Sequence, residues 1–212
     1  MSKAPPETPR PAGQLRSDAE ANRNRILAAA IVAVRRDGEK VPMARIAEDA
    51  GVGIGTLYRH YPTRTALLTA LTARSFRLVL RHARAAAQSN MPPPAALAQF
   101  LEQTIAARDE FILPLHGGPV IRDADIVALQ REIRDLLEQI LARGRRDGTI
   151  RSDATANDIV ITGAMLAQPL PNAAEWDQLA RRQAEIFLSG LATTDHRNPT
   201  RDTPSAITPV RS

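Results

Sequence analysis

Thr56, Tyr58, Arg59 and His60 fall within five consecutive residues, and Arg64 follows four positions later. A hydroxyl, a phenol, a guanidinium and an imidazole at this density are hydrogen-bond donors for phosphate oxygens and base edges. Arg59 is the candidate for reading a base, because its fork matches the O6 and N7 acceptors of guanine. Gly53 and Gly55 lack side chains, so the backbone there can approach a sugar-phosphate wall closely. Covalent chemistry is far less well supplied. The chain has no cysteine, which removes disulfides, thiol catalysis and Cys-ligated metal together. Its four histidines occur in no HxxxH, HxH or HExxH spacing. His82 and His116 could meet in space, as could His116 with Asp109 or Glu110, but a polar residue lining a helix interface is the plainer reading of His82. No GxSxG or glycine-rich phosphate loop occurs either. The expectation is no enzyme, no cofactor and no metal.

The donors need elements to carry them. Residues 46–50 (IAEDA) read as a short helix ended by Gly51, and Ile54–Tyr61 as a second, stopped by Pro62. Two short helices joined by a glycine-containing turn form the helix-turn-helix plan, whose second helix enters the major groove. Leu57 and Tyr61 are spaced i, i+4 and so share the buried face. Ile46, Ala47 and Ala50 are the buried side of the preceding helix, which starts at Pro42. Short isolated helices are marginal in water, so a scaffold helix must hold them. Ser17-Asp18-Ala19-Glu20 has the form of a capping box and opens that scaffold. Ile26, Leu27, Ala30, Ile31 and Val34 give it an apolar stripe, and Gly38 its left-handed stop.

The run AGVGIGTLYRHYPTR, residues 50–64, closely resembles the DNA-binding domain of the tetracycline-repressor (TetR) family of bacterial regulators. The resemblance is strong over residues 20–70 and weakens beyond to a shared helical layout. It implies that Tyr58 and His60 hold phosphate through their side chains, and that Arg64 is a basic phosphate-binding position. The competing reading makes Tyr58 and His60 partly buried packing residues. Family members often carry Thr or Ser at the start of the second helix. Here Val41, Pro42, Met43 and Ala44 offer no hydroxyl, leaving Arg45 or backbone N–H groups as candidates. The expected DNA-binding set is Arg45, Gly53, Ile54, Gly55, Thr56, Tyr58, Arg59, His60 and Arg64.

Charge and composition agree. The net charge is +5, and residues 1–64 hold 11 Lys and Arg against 7 Asp and Glu. A basic first third on a near-neutral remainder fits a phosphate footprint at one end, although a solvated basic surface would look the same. No long apolar run suggests a membrane span, and the N-terminus lacks the apolar core of a secretory signal. The expected setting is the bacterial cytoplasm, at the nucleoid.

Helical periodicity continues to the end and no strand-like alternation persists, so the chain is expected to be all-α. A connector helix spans about Thr63 to Gln88, and Met91-Pro92-Pro93-Pro94 breaks it. A helix opens at Pro94, Phe111–Pro119 reads as a short helix and loop, and another helix runs from about Asp123 to Arg146. The last two cover 153–167 and 174–191. The implied organisation is a disordered arm at 1–16, a helix-turn-helix domain at 17–64, an effector-binding and dimerisation domain at 65–192, and a disordered tail at 193–212.

By resemblance, the second domain holds a small-molecule pocket. Its candidate lining is Phe76, Val79, His82, Phe100, Leu101, Ile105, Phe111, Ile112 and Ile133, with ordinary core as the alternative. Only seven aromatic residues occur, which favours a modest or aliphatic ligand over a large aromatic one. The last two helices resemble the pair through which TetR relatives form a two-fold four-helix bundle. The candidate interface is Ile159, Val160, Gly163, Leu166 and Ala167 on the first, with Trp176, Leu179, Ala180, Phe187 and Gly190 on the second. The alternative is that these stripes only close the protomer core. A two-fold dimer sets two recognition helices about 34 Å apart, matching a palindromic operator. The implied function is a dimeric, sequence-specific transcriptional regulator, usually a repressor, released by a small effector. A helical regulator without a small ligand, or an enzyme with an incidental motif, are the alternatives.

Overall fold

The computed structural model describes residues 12–113, 123–170 and 173–193. Most of the expected N-terminal arm, His116 with the Pro/Gly stretch around it, and the tail beyond 193 lie outside them. Helices α1 (Ala12–Asp37), α2 (Met43–Asp49), α3 (Ile54–His60) and α4 (Arg64–Gln88) come first, followed by α5 (Pro93–Ala106) and a 3-10 turn at Arg108–Glu110. Then come α6 (Ala124–Arg146), α7 (Ala156–Leu166) and α8 (Trp176–Leu191). The chain is all-α. An isolated bridge between Ile150 and Ala192 ties the α6–α7 connection to the end of α8.

Local chemistry accounts for most boundaries. Thr63 caps α4, its hydroxyl accepting from the Ala66 N–H at 3.0 Å. The Asp123 carboxylate caps α6 by accepting from Asp125 and Ile126. A full capping box opens α7, with Thr155 and Asp158 accepting from each other's backbone N–H. This box starts α7 later than the expected 153. The Ser17–Glu20 box, in contrast, does not open α1, which already begins at Ala12. Helix α2 starts at Met43, with Pro42 as its cap.

Two cores follow. The first joins the stripe of α1 to Met43, Ile46 and Ala47 of α2, Leu57 of α3 with Tyr61 just after it, and Leu67, Leu68 and Leu71 of α4. The second, larger core gathers α5, α6, α7 and α8 around the far half of α4. Helix α4 therefore belongs to both. In the second core Gly144 lies under Ile150, where a Cβ would stand 2.5 Å from the Ile150 Cδ1. Only glycine fits there without displacing the Ile150 side chain.

Candidate DNA-reading surface and effector cavity

The turn between α2 and α3 is built on Gly51, whose φ of +62 lies in the left-handed region. Its N–H bonds to the Glu48 carbonyl at 3.0 Å, and Val52 N–H to Ala47 at 3.0 Å. Helix α3 then divides by face. Leu57 and Tyr61 are buried, as their spacing requires, while Ile54, Tyr58 and Arg59 are exposed beside the bare backbone of Gly53 and Gly55. Thr56 and His60 are half-buried. Gly53 caps α3 with no side-chain bond. Burial pushes the Tyr61 phenol above its ordinary pKa, partly opposed by Arg23, so Tyr61 stays neutral.

Arg59 donates from Nη2 to the Thr56 hydroxyl at 2.9 Å. That bond spans one helical turn and engages one of the five donors of the fork. Arg45 is less available than the sequence suggests, because it pairs with Glu48 at 3.4 Å and Asp49 at 3.1 Å. Arg64 departs further from expectation. Its half-buried guanidinium donates from Nη1 to the carbonyls of Glu39, at 2.9 Å, and Val41. It clasps the α1–α2 connection to the start of α4. The reason is reach: a long side chain in the first turn of α4 meets two carbonyls left without helical partners.

The second domain holds a cavity of about 260 Å³ between α4, α5, α6 and α7. Phe76, Val79, Phe100, Phe111 and Ile133 line it as expected. Four other expected residues do not. Leu101 and Ile105 are wholly buried in the second core, and Ile112 is inserted into the first. His82 also lies off the lining. Burial, then the nearby Arg81 charge, push its imidazole below the ordinary histidine pKa, against an opposing pull from Glu110. The sequence reading missed Thr104, Leu113, Gln130, Arg134 and Ala164, all lining residues. Gln130 and Arg134 were legible in principle, since they sit i, i+4 beside the apolar stripe of α6.

The expected dimer face needs a change of register. Ile159, Gly163, Leu166, Ala167 and Ala180 are buried within the protomer, and Val160, Gly163 and Ala167 line the cavity. Trp176 and Phe187 are half-buried against the second core, and the Trp176 Nε1 donates to the Leu166 carbonyl at 2.9 Å, locking α8 to α7. What these helices show to solvent is Ile161, Met165, Leu179 and Ile186, between 49% and 63% exposed, with Gly190 beside them. The apolar stripe is wide enough to serve the core on one edge and leave a second edge bare.

No group of three or more His, Cys, Asp or Glu among the described residues could hold a metal ion. No helix among them is long and apolar enough to cross a membrane.

Residues 26–71 match the family described as "Bacterial regulatory proteins, tetR family", and residues 92–193 match the "Transcriptional regulator SbtR-like, C-terminal domain". The chain belongs to the TetR family. It is a helix-turn-helix transcriptional regulator. Among similar proteins is the HTH-type transcriptional repressor KstR of Rhodococcus jostii strain RHA1, 29% identical over 149 residues, 68% of this chain and 69% of that protein. A TetR transcription regulatory protein of Mycobacterium vanbaalenii shares 28% identity and superimposes with a TM-score of 0.60 over 84% of this chain and 99% of its own. The regulator FadR of Bacillus subtilis, solved with stearoyl-CoA, shares the fold at 16% identity, with a TM-score of 0.65 over 80% of this chain and 99% of that one.

Proposed function

We propose that this TetR-family regulator is a homodimeric repressor that binds a palindromic operator through α3 and lets go when a small molecule enters the cavity. The observation that carries the reading is the double membership of α4. Its first turn closes the DNA-binding domain, with Thr63 and Arg64 directly after α3. Its middle turn supplies Phe76 and Val79 to the cavity. A molecule that prefers one placement of α4 thereby biases the placement of α3. It shifts the equilibrium only by its differential affinity for the two.

Repression is supported by the KstR relative, named a repressor. A ligand-filled second domain is supported by the FadR structure, solved in complex with stearoyl-CoA. The exposed Ile161, Met165, Leu179 and Ile186 support a two-fold contact through α7 and α8, because monomers seldom leave such a patch bare without use. Phosphate is the proposed partner of Tyr58 and His60, and a base edge that of Arg59. The chromosome in the cytoplasm is the proposed place of action.

The test is operator selection from genomic fragments, footprinting, and addition of cell extract to the complex. A palindromic footprint lost on adding extract is the expected result. Val79→Phe should keep the footprint and lose the response, because the added ring occupies the cavity. A footprint that no extract disturbs would instead favour regulation without a small ligand.

A further inference from the structure

Among the described residues, the lining of the proposed effector cavity carries one charge. Arg134 lines it from α6 with Gln130 one turn earlier, and most of the remaining wall is apolar, including three of the chain's four phenylalanines, Phe76, Phe100 and Phe111. Neighbouring carboxylates on α6 are engaged elsewhere. Glu132 takes Arg84 at 2.6 Å, and Glu138 takes Arg145. Asp135, next in sequence to Arg134, is exposed and projects about 100° away around the helix. Residues 114–122 contain no Asp or Glu. Among the described residues no carboxylate lies within ion-pair distance of Arg134.

A half-buried arginine in the wall of a mostly apolar cavity, with no counter-charge among the described residues, leaves room for an anionic partner. The Thr104 hydroxyl cannot meet a ligand as a donor, since it already donates to the Phe100 carbonyl at 2.8 Å. Among the described lining residues, the side chains left to donate are therefore the planar fork of Arg134 and the Gln130 amide. A planar fork pairs with a carboxylate through two parallel, charge-assisted bonds. One cation balances one negative charge, whereas a phosphate monoester would bring close to two. At about 260 Å³ the space falls just below the usual span of ligand pockets, about 300 to 1,000 Å³, so it suits only a small molecule. We infer that the effector is a small carboxylic acid bound as its anion, the carboxylate on Arg134 and Gln130 and the apolar body among Phe76, Phe100 and Phe111. This rests on the reading of the cavity as the effector site.

The experiment compares acids with neutral analogues of the same shape on the full chain. Hexanoate, octanoate, phenylacetate and 3-phenylpropionate are titrated by calorimetry beside the corresponding alcohols. At least one acid should bind about tenfold or more tightly than its alcohol, the range expected for charge-assisted pairing. Arg134→Met should erase that preference while leaving the alcohol's own affinity measurable. Arg134→Gln serves the same comparison if the methionine variant melts early. Equal binding of acids and alcohols would overturn the inference, as would an acid preference that survives both variants. So would the absence of acid binding at millimolar concentration. Extract-driven release of operator separates the two readings. Release that persists equally in wild type and Arg134→Met keeps the cavity as an effector site and removes the carboxylate. No release from the wild-type complex, with no acid bound, removes the effector reading itself.

Discussion

Phe111 and Ile112 are neighbours in the chain that serve two different domains. The Phe111 ring is wholly buried beside Leu78, Leu113 and Ala167 and lines the cavity of the second domain. The Ile112 side chain sits in the core of the DNA-binding domain with α1, α2 and α3. Extended backbone makes this possible, because consecutive side chains point to opposite faces. Polar contacts hold the segment. The Ile112 N–H donates to the Ser75 hydroxyl at 2.9 Å, Arg35 of α1 donates to the Arg108 carbonyl at 2.9 Å and pairs with Asp109 at 2.7 Å, and Arg74 pairs with Glu110 at 2.9 Å. The segment is a second link, beside α4, between cavity and DNA surface.

Ser75→Ala tests that link. It strands the buried Ile112 N–H, which should cost about 1–3 kcal/mol, read from urea denaturation. It should also reduce the ratio of operator affinities without and with effector. An unchanged ratio would leave α4 as the sole route between the sites.

Arg59 and Arg64 should now behave differently on DNA. Arg59→Ala is expected to cost roughly 1–3 kcal/mol of sequence discrimination per half-site with little change on random DNA. Arg64→Ala should lower the melting temperature, because the Glu39 and Val41 carbonyls lose their shared donor, and should keep the salt slope of binding. A slope reduced by about one unit would return Arg64 to the phosphate.

The dimer proposal separates exposed from buried positions on one helix. Met165→Glu or Leu179→Glu should yield folded monomers, since an unpaired charge buried in an interface costs several kcal/mol. Leu166→Glu, one residue on but inside the core, should unfold the protomer instead. Sedimentation with circular dichroism distinguishes the two outcomes. Folded dimers in both exposed variants would place the contact elsewhere.

His82 gives a pH signature. Its folded pKa is lowered, mainly by burial and then by Arg81, so the unfolded chain binds the proton more readily. Its contribution is complete above the unfolded value of about 6.5 and is lost as pH falls from there through the folded pKa. Melting temperatures taken between pH 8 and pH 5 should fall on the acid side, and His82→Gln should flatten that fall. An identical acid slope in the variant would assign the effect to other groups.

The helix-turn-helix was legible because its information is local. Gly51 for the turn, the Leu57–Tyr61 spacing for the buried face and the donors between them all lie within eleven residues. Sequence by itself determined the all-helical class, the helix-turn-helix and the break at the prolines. Periodicity also showed that α7 and α8 are apolar over a broad stripe, yet it carries no phase relative to the rest of the molecule. Tertiary structure alone decided that Val160, Gly163 and Ala167 line the cavity while Ile161 and Met165 face out. It likewise decided that Ile112 joins the first core, and that Arg64 reaches back to carbonyls 25 and 23 residues away. The Ser17 box failed for a related reason: a local cap starts a helix only where nothing upstream continues it. Faces, cavities and long-range hydrogen bonds depend on which elements meet, and that is settled by packing across the whole chain.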